Sequence, residues 1–111
     1  MPWASDNITS VPSLPEMTAK TLALLENENG FFAMIEGGKI ALAGHSNSAV
    51  DTRLETLAFD DAVKIAMDYA DAHPGTLVII TADHETGGVS VGQDGSISYN
   101  PPSHTDELVP Y

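Results

Sequence analysis

The chain has 111 residues, no cysteine and a formal charge of −12, length enough for one small domain with a core but too little for two. Such a charge argues against nucleic-acid phosphate as a partner, because an acidic surface displaces none of its counterions, and it suits solubility or the attraction of cations. Without cysteine there is neither a disulfide framework nor a thiolate metal site, and no apolar run reaches the length of a bilayer span.

Met1-Pro2-Trp3-Ala4-Ser5-Asp6 has neither a basic region nor the apolar run of a secretory signal; either the chain stays inside or its true beginning lies upstream. Residues 1–12 mix Pro, Ser, Asp and Asn with isolated apolar residues and read as a linker or a disordered tail. Ser13, with Pro15 and then Glu16 three positions on, reads as a capping-box helix start. Met17, Thr21, Leu24 and Leu25 supply an apolar stripe at helical spacing. Asn27, Asn29 and Gly30 end that helix.

Phe31-Phe32-Ala33-Met34-Ile35 reads as a first strand, ending in Glu36 and the pair Gly37-Gly38. Lys39 to Ala43 is weakly apolar and reads as a possible continuation of it, before the polar loop Gly44-His45-Ser46-Asn47-Ser48. A long helix then begins between Ala49 and Leu54 and stops before His73-Pro74-Gly75. Leu54, Ala58, Ala62, Ile65, Ala66 and Tyr69 share one face of it, and Asp60, Asp61, Lys64, Asp68 and Asp71 lie largely off that face.

Leu77-Val78-Ile79-Ile80 reads as a second strand, buried on both faces, and it runs into Asp83-His84-Glu85. Strand, crossover helix and strand make a right-handed βαβ unit with parallel strands. Both strands then deliver their loops to one edge, where ligands collect in open α/β sheets. Around Gln93-Asp94-Gly95 the alternation signals a hairpin, and Asn100-Pro101-Pro102-Ser103 leads to His104-Thr105.

An Asp-His pair after a strand is commonly just the start of a solvated loop. Here two strand-end carboxylates, Glu36 and Asp83, accompany three loop histidines, His45, His84 and His104. This set suits a divalent cation held by nitrogen and oxygen: zinc where imidazoles dominate, magnesium where a lone carboxylate acts with water. His73, at a helix end, reads as structural; Glu85, Asp94, Asp106 and Glu107 read as solvated loop charges.

Glu36-Gly37-Gly38-Lys39-Ile40, Gly44-His45-Ser46-Asn47, Thr81-Ala82-Asp83-His84-Glu85-Thr86-Gly87-Gly88, and His104-Thr105 followed by Val109-Pro110 closely resemble, in order, the C-terminal metal-binding motifs of the alkaline phosphatase family. The resemblance implies an α/β fold for residues 13–111, with parallel strands and crossover helices forming part of a three-layer αβα sandwich. It also implies hydrolysis of phosphate monoesters with two zinc ions and one magnesium ion. Glu36 resembles the magnesium ligand, His45 and His104 resemble ligands of one zinc, and Asp83 with His84 resembles the ligand pair of the other.

Two departures stand out. Where the family pattern places an aspartate ligand of the first zinc, this chain has Ala41. The serine nucleophile, the metal-bridging aspartate and the phosphate-binding arginine belong to an N-terminal half with no counterpart here: Ser5, Ser10, Ser13 and Arg53 stand in the wrong context. The expectation is a phosphatase portion that supplies metal ligands and is catalytically incomplete alone, with the N-terminal half of such an enzyme as a candidate partner. The alternatives are a non-catalytic acidic metal-binding module, or a sulfatase- or phosphomutase-type hydrolase of the same superfamily. Relatives are commonly exported and often homodimeric, and neither property can be assigned from these residues.

Overall fold

The computed structural model describes residues 2–6 and 8–109, so Pro110 of the Val109-Pro110 motif and Tyr111 lie outside the described residues. Helix α1, Leu14–Leu25, starts as its sequence dictates: the Ser13 hydroxyl accepts from the Glu16 backbone N–H, and the Glu16 carboxylate accepts from the Ser13 N–H. Its buried residues are Thr18 and Leu22, whereas Leu24 is exposed. The inward stripe is therefore rotated from the Met17-Thr21-Leu24-Leu25 reading. The Thr18 hydroxyl tolerates burial because it donates to Leu14 O at 2.9 Å, leaving no polar group unsatisfied.

Helix α3, Ala49–Ala72, is the spine of the molecule; α1 and α2 both pack along it. Ser48 caps its start by accepting from Asp51 N. Ala62 is its buried residue, and Asp60, Asp61, Lys64, Asp68 and Asp71 are exposed, as the periodicity indicates. A 3₁₀ turn at Ala4–Asp6, in the stretch read as a linker or tail, is tethered to α3. Ala4 N donates to Glu55, Ser5 Oγ donates to Asp51, and the Lys39 ammonium lies 4.0 Å above the Trp3 ring centroid.

Two expectations are corrected. Lys39–His45 is not a strand extension but a seven-residue helix, α2; Gly37 before it lets the chain pass close to the Phe59 ring, 2.9 Å from where a Cβ would lie, and Ala43 is fully buried. Residues 31–35 and 77–80 have no regular secondary structure and form no hydrogen-bonded ladder, with each other or with any other described residue. The parallel βαβ pairing is therefore absent within this chain. Phe32, Met34, Leu77 and Ile79 are 91, 83, 80 and 72% exposed, so the second strand is not buried on both faces.

The ladders that do form are antiparallel and two residues long. β1 (Glu85–Thr86) pairs with β4 (His104–Thr105), and β2 (Ser90–Val91) pairs with β3 (Ile97–Ser98). The second pair is the expected hairpin, closed by Gly92 N donating to Ser96 O and by Gly95 at φ +81°.

Candidate metal centre

Three segments far apart in sequence bring their imidazoles together. His45 is the last residue of α2, His84 precedes β1, and His104 opens β4. Strand pairing sets Thr86 opposite His104, and the His84 and His104 rings stack with centroids 3.6 Å apart. Helix α2 reaches the same place because Gly44 has no side chain: a Cβ there would lie 2.7 Å from Thr86 O. On the other side, Gly87, at φ +100°, donates to Ser103 O and accepts from Asn100 N, fastening the β4 approach.

His45 Nδ1 is 3.1 Å from Pro102 O. A carbonyl can only accept, so this contact puts the proton on Nδ1 and leaves Nε2 as a lone-pair donor. His45 Nε2 faces His104 Nε2 at 3.2 Å. Two nitrogens bound about 2.0–2.1 Å from one tetrahedral zinc ion stand about 3.3 Å apart, so this separation fits a shared cation.

His84 Nδ1 is likewise held, 3.2 Å from Glu85 O and 3.0 Å from Thr86 Oγ1. Its Nε2 faces Asp83 Oδ2 at 3.6 Å. The donors thus converge in pairs, His45 with His104 and Asp83 with His84. Among the described residues no three or more His, Asp or Glu side chains are placed to grip one ion together.

Glu36 is exposed. Its carboxylate folds back over Gly38 at the start of α2, 3.0 Å from where a Cβ would lie. Ala41 is four residues before His45 on α2 and therefore on the same helix face, one turn back.

Glu85 is corrected from a solvated charge to a half-buried brace. Its carboxylate accepts from Thr105 Oγ1, Gly88 N and Val89 N, tying the His84 segment to the His104 strand. The Thr105 hydroxyl first, then the two backbone N–H groups and the nearby His84, hold its carboxyl below the usual range against the opposing effect of burial. The local half of this role had a cue in the sequence: a carboxylate can accept from the backbone N–H groups three and four residues on, here Gly88 and Val89. His73 is structural, as read. Its Nδ1 is 2.8 Å from Tyr69 O, its ring stacks on Tyr69, and its Nε2 is 3.4 Å from Glu26.

Known proteins similar to this chain share one family. Alkaline phosphatase 3 of Bacillus subtilis is 43% identical over 96 residues, covering 86% of this chain and 21% of the relative. Streptomycin-6-phosphate phosphatase of Streptomyces griseus is 43% identical over 81 residues, covering 66% of this chain and 18% of that protein. The alkaline phosphatase of the Antarctic bacterium TAB5 superposes with a TM-score of 0.86 at 30% identity, over 98% of this chain and 35% of its own. A variant of the TAB5 enzyme with Mg bound gives 0.83 at 30% identity, over 98% of this chain and 36% of its own. The chain spans about a fifth of the length of the curated relatives it matches. Since the alkaline phosphatase family model matches residues 1–108, the chain belongs to the alkaline phosphatase family.

Proposed function

We propose that this chain is the metal-holding portion of a phosphate-monoester hydrolase of the alkaline phosphatase type, catalytically incomplete alone. The observation that carries the reading is the convergence of three loop histidines with two ring nitrogens 3.2 Å apart. The donor chemistry fits the family's cations: His45 with His104, and Asp83 with His84, would each hold a zinc ion, and Glu36 would contribute to magnesium. Bound there, such ions supply Lewis-acid polarisation of a phosphoryl oxygen and activation of the attacking hydroxyl.

The chain's own residues prepare that task. Pro102 O and Glu85 O hold two imidazoles in orientations that free Nε2, and Glu85 keeps the two histidine-bearing segments in register. Ser5 and Ser13 are committed to Asp51 and to the α1 cap, so neither serves as nucleophile. The nucleophile, the phosphate-binding arginine and the remaining sheet of the three-layer αβα sandwich come, in this reading, from an N-terminal half of such an enzyme. The assembled protein could then form the homodimer common among its relatives.

Mixing the chain with the N-terminal portion of an alkaline phosphatase, plus zinc and magnesium, is expected to yield hydrolysis of p-nitrophenyl phosphate that His104→Ala abolishes. A folded complex that binds both metals and hydrolyses nothing would overturn the reading. Ala41 favours a second reading, an acidic metal-binding module without catalysis. Stoichiometric zinc uptake in calorimetry, together with silence in the mixing experiment, selects it. A sulfatase- or phosphomutase-type reaction is the remaining alternative, and the phosphatase activity named in the relatives above favours the phosphate ester.

A further inference from the structure

The stretch expected to be a linker or tail touches two helices at once. Half-buried Trp3 sets its ring 4.0 Å from the ammonium of half-buried Lys39, the first residue of α2. One and two residues on, Ala4 N donates to Glu55 and Ser5 Oγ donates to Asp51, both in the first two turns of α3. Trp3 N donates to Asp6 at 2.7 Å and closes the 3₁₀ turn that carries these contacts. The Ser48 hydroxyl first, then Ser5 and the Lys39 charge, hold the Asp51 carboxyl below its usual range against the effect of burial. Trp3, Lys39, Asp51 and Ser5 therefore form a closed ring of contacts.

Lys39 stands where a lysine helps its own helix least. Helix α2 has seven residues, and its N-cap, Gly38, supplies no side-chain hydrogen bond. A helix so short is marginal alone, and a cation in its first turn meets the positive end of the macrodipole. Packing along α3 holds the body of α2. Its first turn gains a partner from outside, the negative face of the Trp3 ring. At the other end α2 closes on His45, whose Nε2 meets His104 Nε2 at 3.2 Å. Seven helical residues span only about 10 Å, so a shift at Lys39 is carried to His45 within one element.

We propose that Trp3, through Lys39, is a positioning residue for the histidine pair: the clasp fixes the start of α2 and with it the approach of His45 to His104. The inference rests on the reading of that pair as a zinc site, but the approach itself is measurable without metal.

The full chain is compared with Trp3→Leu, Trp3→Tyr, Lys39→Met and the double variant of Trp3→Leu with Lys39→Met. The nuclear Overhauser contact between the His45 and His104 rings is followed first without metal, at about pH 8.5, where an ordinary imidazole is neutral. Zinc chloride is then titrated by calorimetry. Trp3→Leu and Lys39→Met should each weaken the ring contact and lower zinc affinity by about two- to fivefold, the worth of one near-surface cation–π contact, with native helical circular dichroism. The double variant should lose no more than either single one, and Trp3→Tyr, which keeps an aromatic face, should retain both properties. Absence of the ring contact in the native chain, its full retention in Trp3→Leu, additive losses in the double variant, or a tyrosine variant as weak as the leucine one would each overturn the proposal. Should Trp3→Leu lose its helical signal, Lys39→Met decides by the same two readings. A native chain that shows the ring contact but takes up no zinc would instead sink the zinc reading and leave the clasp to be judged by the ring contact alone.

Discussion

His45 and His104 are 59 positions apart in sequence, yet their Nε2 atoms meet because the other nitrogen of His45 is pinned by a backbone carbonyl. What the pair lacks is an anion. On α2, position 41 lies one turn before His45 on the same face, so Ala41→Asp would place a carboxylate beside two neutral imidazoles. Calorimetry should show zinc bound about tenfold more tightly or better, the order expected when a negative donor joins a neutral pair; unchanged affinity would mean that α2 does not aim position 41 at the pair. Glu85→Ala removes the acceptor of three donors at once. It should lower unfolding stability by about 1 kcal/mol, the net worth of hydrogen bonds that are half-buried or exposed, and a matching fall in zinc affinity would show that the brace also positions the histidines.

Helix α1 is the element whose sequence and structure agree most closely, because its start depends on local chemistry alone. The Ser13 backbone N–H, then its hydroxyl, donate to Glu16 and hold that carboxyl below its ordinary value. The folded value lies below the unfolded one, so the contribution is complete above the unfolded carboxylate range and is lost as pH falls through the folded value. Circular dichroism on acidification should show α1 fraying through that window, and Glu16→Gln should remove that step. Helix α2 was the opposite case. Its seven residues carry too little periodicity to separate helix from strand, and what decides between them is the Ala43 and Gly44 contact with distant partners.

The molecule as a whole is looser than its length suggests. Its radius of gyration is 15.7 Å, against about 13 Å for a compact chain of this size, and among the described residues only Leu22, Ala43 and Ala62 are buried apolar side chains. Helix existence, the hairpin and the pairing of Asp83 with His84 could be read from spacing and residue type. The absent ladder could not, because a run such as Leu77-Val78-Ile79-Ile80 states that it wants cover and not whether these 111 residues provide it. The long-range half of the role of Glu85 was equally hidden, since its partner Thr105 is twenty residues away.

The 24-residue spine has a final consequence. His45 lies just before its first turn and His84 stacks beside His45's neighbour, so the chain leaving the far end at Ala72 must travel back along it. A helix of that size is about 36 Å long, and the return starts with a turn in which Thr76 N donates to His73 O and Gly75 takes φ +99°. The eight residues from Thr76 to His84 reach about 27 Å at full stretch, so the return run has little chain to spare. Deleting Val78 should therefore drag the His84 imidazole off His104, visible as loss of ring-current shifts in the histidine proton spectrum, whereas inserting a glycine there should leave those signals in place.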